Sequence, residues 1–201
     1  MTLDTSWTTA VVAVLGTGAT LTLALLNRRD SARREKLQLD REDAKEAGER
    51  VRAQRTLERA SVMKLSDIFA DARRLSDRPP EEDPPGMDWD EEFPTSWEPA
   101  YYSAMRESEL VSNQEFREVF QECAQAILWC SGLSQVPKAG PARRIARDTA
   151  SLGFVVAGSW LRDEAVSSDA KVRFKALQAL VKDAEEIWDE RSLKSPGEEP
   201  S

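Results

Sequence analysis

The sequence predicts an all-α protein: an N-terminal transmembrane helix runs into a long charged helix, and an antiparallel helical bundle follows. Three observations favour this fold class. Residues 5–27 contain no charged side chain. After residue 57 the apolar residues recur at every third or fourth position, which is the period of an α-helix. No segment shows the alternation of apolar and polar residues that is typical of a β-strand.

The transmembrane prediction depends on residues 7–26, which read WTTAVVAVLGTGATLTLALL. Twenty residues of α-helix are about 30 Å long, the thickness of the hydrocarbon core of a bilayer. The basic residues that follow this stretch are Arg28, Arg29, Arg33 and Arg34. No basic side chain precedes it, so the positive-inside rule places residues 1–6 outside and the bundle in the cytoplasm. The sequence therefore predicts a single-pass protein of the inner cell membrane, against the alternatives of a buried soluble helix or a cleaved signal peptide.

Small residues recur at helical spacing along one side of the predicted membrane helix. They are Thr9, Ala13, Gly16 and Thr20. Small side chains let two helices approach closely in a bilayer, so we expect a homodimer through this face. The alternative is that Gly, Ala and Thr are simply common in such helices. The four arginines beside the membrane would also attract anionic lipid, which makes the bilayer a predicted partner, unless they act only as a topology signal on a solvated stalk.

Residues 27–56 are predicted to form a charged helical stalk. Apolar residues are sparse there, and side chains of opposite sign such as Glu46 and Arg50 are four residues apart, which stabilises a solvated helix. Residues 57–78 differ because they carry an apolar stripe made of Val62, Leu65, Ile68, Phe69, Ala72 and Leu75. We expect this segment to be the first bundle helix, ended by Pro79 and Pro80.

Residues 79–99, PPEEDPPGMDWDEEFPTSWEP, are predicted to be an acidic, proline-rich linker. Trp89, Phe93 and Trp97 stand among its carboxylates, a composition that resembles disordered partner-binding segments. We therefore predict that these three aromatics bind a partner; the alternative is that they pin the linker onto the bundle. No glycine stands where an EF-hand loop requires one, so no calcium site is expected.

The remaining helices of the bundle are placed in residues 100–191, before a disordered tail at 192–201. Thr95 and Glu98 predict a helix start just ahead of Pro99, and Ser112 with Glu115 forms a capping box for the next helix. The apolar face of that next helix consists of Phe116, Phe120, Cys123, Ile127 and Cys130. Two further helices are predicted from Pro141 to Leu161 and from Ser168 onward. Short connections between these helices favour antiparallel neighbours.

The composition excludes several kinds of catalytic or metal site. The chain has 201 residues, two cysteines and no histidine, so a Ser-His-Asp triad and histidine-ligated zinc are not available. Glycine-rich phosphate-binding motifs are missing as well. We predict no catalytic residue, no cofactor and no metal. Arg143, Arg144 and Arg147 are interpreted as a solvated helix face or as partners of the acidic linker, and the net charge of −8 argues against a nucleic-acid partner.

The order of these segments resembles a set of uncharacterised single-pass membrane proteins from actinobacteria. The likeness depends on the arginine-rich run NRRDSARR at 27–34, on ELVSNQEFREVFQEC at 109–123 and on FVVAGSWLRDE at 154–164. The 20 arginines against 8 lysines suit a GC-rich genome. The resemblance implies an architecture, a membrane helix with a cytosolic bundle, and implies no activity.

The sequence favours a non-enzymatic scaffold or adaptor, anchored in the membrane, that presents its bundle to an unknown cytosolic protein. The alternative is a membrane-tethered sensor or enzyme domain with a site made of carboxylates and arginines. A scaffold should have a dry apolar core, whereas a catalytic bundle should have a pocket lined by converging charges.

Overall fold

A computed structural model of the chain describes residues 5–78 and 89–194 and is all-helical there, so the all-α fold class is confirmed. The six helices in chain order are α1 (Thr5–Asp77), α2 (Trp89–Glu109), α3 (Gln114–Leu128), α4 (Cys130–Leu133), α5 (Ala142–Leu161) and α6 (Ser168–Lys194). The chain divides into two compact units, Met1–Gln54 and Arg55–Ser201. Helix α1 contributes to both units, and the second unit is the helical bundle.

The membrane prediction is corrected by the structure. Residues 7–26 lie in helix α1, but none of the helices in the described part of the chain combines the length and the apolar character needed to cross a bilayer. A span requires about 20 consecutive, predominantly apolar residues, and this finding for the described helices stands against the single-pass prediction. The transmembrane helix, the single-pass topology and the inner-membrane localisation are therefore withdrawn.

Two sets of predicted functional residues, the dimer face and the juxtamembrane arginines, depended on the membrane span. The side chains of the predicted dimer face (Thr9, Ala13, Gly16 and Thr20) lie outside the described residues, as does that of Arg29. Arg28, Arg33 and Arg34 are described and exposed.

The first unit contains a helix that no other element covers among the described side chains. Every side chain described between residues 28 and 54 is exposed. Ion pairs one turn apart join Arg50 to Glu46 at 3.3 Å and Lys45 to Glu49 at 3.9 Å. Local pairs of this kind stabilise a solvated helix weakly but without tertiary contacts.

In the second unit α1 acquires a buried face. Val62, Leu65, Phe69 and Ala72 have no exposed surface. They repeat at spacings of three and four and so share one side of the helix. The helix ends at Asp77, two residues before the Pro79–Pro80 pair.

Helix α2 begins ten residues before the end of the predicted linker. It starts at Trp89, not near Thr95, and contains Pro94 and Pro99. Each proline lacks an N–H and destabilises a helix interior by about 3 kcal/mol. The helix forms nonetheless because it brings the side chains of Phe93 and Trp97 into the core, which stabilises the fold by about 1.5–3 kcal/mol per large side chain.

The cap of helix α3 differs from the predicted capping box by one residue. Asn113 is the N-cap, and its side-chain oxygen accepts a hydrogen bond from the backbone N–H of Phe116 at 3.4 Å. Ser112 instead donates to the carboxylate of Glu58 on α1. The side chain of Ser112, which the local motif predicted to cap α3, thus makes a tertiary contact instead. The predicted apolar face of α3 is buried throughout.

Contacts between helices show their directions. Glu58 on α1 contacts Ser112, three residues after the end of α2. Lys64, later on α1, contacts Glu107 in the last turn of α2. The partners follow in reverse order along the chain, so α1 and α2 are antiparallel. By contrast, Lys171 pairs with Glu115 and Gln178 with Glu122, which keeps a constant separation of 56 positions, so α6 and α3 are parallel.

Helix α5 lies between α1 and α6 in the bundle. Gly153 approaches the ring of Phe69 on α1, and on the α6 side Arg173 donates to the backbone carbonyl of Asp148 at 2.8 Å. The rings of Phe69 and Phe120, 6.2 Å apart, join α1 to α3 in the core. One continuous apolar core therefore connects all the helices of the second unit.

Candidate interaction surface

The three predicted partner-binding aromatics form a stacked row along α2. The ring centroids of Trp89 and Phe93 are 4.2 Å apart, and those of Phe93 and Trp97 are 6.5 Å apart, with interplanar angles of 11° and 7°. Phe93 and Trp97 are 2% and 3% exposed, and the indole N–H of Trp97 donates to the carbonyl of Ala124 on α3. Phe93 and Trp97 thus pack α2 against the bundle. Partner binding by the three aromatics stays a prediction.

Trp89 is half-buried, and its ring is covered by an arginine from α5. The guanidinium carbon of Arg143 lies 5.2 Å from the ring centroid, within the range of a cation–π interaction. Arg143, one of the three arginines predicted to contact the linker, thus contacts Trp89, an aromatic residue of the predicted linker at 79–99. Most carboxylates of that segment, at residues 81–83, 88 and 90–92, lie outside the described side chains, whereas Glu98 is described and exposed.

The other two arginines surround a single carboxylate. Nε of Arg147 lies 3.2 Å and Nε of Arg144 lies 3.6 Å from the carboxylate oxygens of Asp148. Arg147 also approaches Asp77 at the end of α1, at 3.9 Å. These side chains are all well exposed, so each pair contributes little to stability, and together they form a patch of two arginines and two aspartates.

A polar seam of Glu58, Ser61, Lys64, Glu107 and Ser112 runs between α1 and the end of α2. Within the described part of the chain, Glu58 and Glu107 are the two charged residues that are buried. Nζ of Lys64 lies 3.0 Å from Oε1 of Glu107, and the hydroxyl of Ser112 donates to Glu58 at 3.1 Å. Glu107 therefore joins α2 to α1, and Glu58 joins α1 to the loop after α2.

The charge of Glu107 is stabilised despite its burial. Burial by itself would raise the pKa of this carboxyl, but hydrogen bonds from Lys64 and Ser61 and the attraction of Lys64 and Arg106 outweigh it and hold the pKa below its usual range. Glu107 thus stays ionised at neutral pH. The sequence contained no local signal for this pair, because its partners are 43 positions apart.

Ser61 and Lys64 have the S-x-x-K spacing that supplies a serine nucleophile and a lysine in some hydrolases. Here the spacing is used differently. Ser61 is 3% exposed and hydrogen-bonds to Glu107, and Lys64 forms an ion pair with the same carboxylate. A charge-paired ammonium does not act as a general base, and a buried hydroxyl that is already engaged does not meet a substrate.

An open groove lies between α5 and α6. It has a volume of about 270 Å³. It is lined by Ala139, Arg144, Ile145, Asp148, Thr149, Leu152, Arg173, Ala176, Leu177 and Leu180. Buried leucine and isoleucine side chains form its floor, and the two arginines with Asp148 form its rim. Sequence reasoning missed the groove because its walls come from two separate helices.

The cysteines lie in the core. Cys123 and Cys130 are both buried and do not form a disulfide, and burial raises the pKa of the Cys123 thiol. In the described residues, no group of three or more Cys, Asp or Glu side chains is arranged to hold a metal ion. The two cysteines therefore behave as small packing residues.

Comparison with known protein families, with curated proteins and with solved structures finds no match to this chain.

Proposed function

We propose that this chain is a non-enzymatic helical adaptor that binds a segment of a protein partner in the groove between α5 and α6. The observation that carries the proposal is the groove itself, a concave surface of about 270 Å³ with an apolar floor and a charged rim. Protein segments bind in apolar grooves between helices by burying one face there. The membrane anchor of the original hypothesis is not part of this proposal.

The charged side chains of the groove support binding over catalysis. The carboxylate of Asp148 is engaged by Arg144 and Arg147, and its backbone carbonyl accepts a hydrogen bond from Arg173. Both oxygens of this carboxylate are engaged by guanidinium groups, so neither is free to accept a proton from a substrate. The same arginines can still donate to carboxylates of a protein partner.

Site-specific photocross-linking tests the adaptor function. A photoreactive benzoylphenylalanine replaces Ala176, which lines the groove and is exposed. Matched positions outside the groove are Ala60 on α1 and Tyr102 on α2, which are both exposed. We expect a discrete adduct with another protein from position 176 and none from the two control positions.

Two outcomes contradict the adaptor function. Adducts of equal yield from all three positions would show that the labelling is unspecific. An adduct from position 176 with the mass of two copies of the chain would show that the groove is a self-association surface and not a partner site.

A further inference from the structure

The groove between α5 and α6 is about two helical turns long. Its lining residues run from Arg144 to Leu152 on α5 and from Arg173 to Leu180 on α6. At about 1.5 Å per residue, these walls are about 12 Å and about 10 Å long. A surface of this length matches two turns of a partner helix, which places side chains i, i+3 or i+4, and i+7 on one line.

The floor of the groove suits apolar side chains. Ile145, Leu152 and Leu177 are 6%, 2% and 7% exposed, so each shows only a small apolar surface to the groove. Ala176 stands on the wall and leaves room because its side chain is small. Apolar side chains entering this space would lose contact with water, which is the main favourable term in such association.

The rim of the groove favours an acidic occupant. Two arginines, Arg144 and Arg173, line it against one aspartate, Asp148, and the nearby Arg147 is balanced by its contact with Asp77. This local excess of positive charge stands on a chain whose net charge is −8. Guanidinium groups bind carboxylates with directional, charge-assisted hydrogen bonds, so the rim selects by charge as well as by shape.

The open form of the groove favours a protein segment over a small molecule. Sites for small ligands typically enclose 70–90% of the ligand surface. The groove is bounded by two helices and open to solvent. A partner helix is compatible with this form, because only one of its faces needs to be buried.

We infer that the occupant is an amphipathic α-helix of the partner with an apolar stripe at i, i+3 or i+4, and i+7 and with Glu or Asp on both sides of that stripe. This inference rests on the proposed adaptor function and adds the chemistry of the partner. Apolar side chains fill the floor, and the flanking carboxylates accept hydrogen bonds from Arg144 and Arg173.

Fluorescence anisotropy with the full chain and three synthetic probes tests the inference. The first probe is a fluorescein-labelled helical peptide of about 16 residues with Leu at i, i+3, i+4 and i+7 and Glu on both flanks. In the second probe Lys replaces every Glu, and in the third Ser replaces every Leu. We expect saturable binding of the first probe and binding weakened by about tenfold or more for each of the others.

Variants with matched controls place the binding in the groove. Ala176→Trp fills the groove, and Ala60→Trp adds the same bulk at an exposed position on α1, outside the groove. Arg144→Glu reverses one rim charge, and Lys182→Glu makes the same change on a lysine that is 75% exposed and lies outside this groove. We expect the two groove variants to weaken binding of the first probe by about tenfold and the controls to change it by less than about twofold. Circular dichroism spectra identical to wild type show that each variant is folded.

Three results overturn the inference. The first is equal affinity for the Glu and Lys probes, and the second is binding that Ala176→Trp does not change. The third is binding that appears only after Glu81→Gln, Glu82→Gln and Asp83→Asn, which would show that an acidic segment of the chain itself takes the place assigned to the partner. If the peptides fail but the cross-link from position 176 remains, the partner chemistry is wrong and the adaptor function stands.

Discussion

The two parts of helix α1 are equally helical but are stabilised by different interactions. Up to Gln54 every described side chain from residue 28 onward is exposed, and ion pairs such as Glu46 with Arg50 are the visible contacts. From Arg55 onward, side chains such as Phe69 are completely buried in the bundle. Helical structure alone therefore does not tell how much a residue contributes to stability. Equivalent substitutions in the two parts should change the free energy of unfolding by different amounts.

The largest difference is expected for truncation of an apolar side chain. Phe69→Ala removes a ring that is fully buried against Phe120 and Gly153, and it should lower the free energy of unfolding by about 3–5 kcal/mol. Leu39→Ala, at a side chain that is 59% exposed in the first unit, should change it by less than about 0.5 kcal/mol. Urea denaturation followed by tryptophan fluorescence and circular dichroism measures both values. Similar losses for the two variants would mean that the first part is packed as tightly as the second.

The second prediction concerns the close approach of α5 to α1. A methyl group added at Gly153 would lie 2.8 Å from the ring of Phe69. Because the ring is enclosed in the core, Gly153→Ala should destabilise the bundle by about 1–3 kcal/mol through overpacking. The urea midpoint of the purified variant measures the change. A midpoint at or above that of the wild type would show that α1 can shift away from α5 at little cost.

The third prediction concerns the charge of the polar seam. The pKa of Glu107 is lower in the folded protein than its ordinary value of 4.5, so its ion pair stabilises the fold above that value and is lost as the pH falls through the folded pKa. Lys64→Met should therefore destabilise the bundle by about 1–2 kcal/mol at neutral pH, less than a fully buried pair would, because Lys64 is largely exposed. In acid, once Glu107 is protonated, the difference from wild type should shrink.

Urea titrations at neutral and acidic pH measure this difference. Lys45→Met is the matched control, since Lys45 and Glu49 form an exposed pair in the first unit. A loss of stability in Lys64→Met that is the same at both pH values would show that packing of the lysine stem, and not charge, holds the seam.

The smallest effect, with the opposite sign, is expected at the glycine of the first unit. A methyl group added at Gly48 would meet nothing within 4 Å. Alanine is a better helix former because it loses less backbone entropy, so Gly48→Ala should stabilise the local helix by roughly 0.5–1 kcal/mol. Amide hydrogen exchange of residues 44–52 measures this change, and faster exchange in the variant would contradict the expectation. The same substitution would thus stabilise one part of the protein and destabilise the other.

Several sequence-based expectations failed for identifiable reasons. The uncharged run at 7–26 predicted a membrane span, whereas none of the helices searched within the described residues is long and apolar enough to cross a bilayer. Prolines in 79–99 predicted a linker, yet Phe93 and Trp97 gain enough by burial to keep both Pro94 and Pro99 inside helix α2. In helix α2, burial of these two side chains opposes the local cost of the prolines.

The sequence by itself determined α1, α3, α5 and α6 as helices and the buried faces of α1 and α3, but not the start of α2 or the short helix α4. The apolar period of three and four placed Val62, Leu65 and Phe69 on one side, and the Pro79–Pro80 pair set the end of α1, because both features act within one or two helical turns. Only the tertiary structure decided that Glu58 bonds to Ser112 and that α6 runs parallel to α3. The α5–α6 groove is likewise a tertiary feature. These features join residues tens of positions apart, and which of them meet depends on how close-packed side chains fit together, a property that local periodicity does not contain.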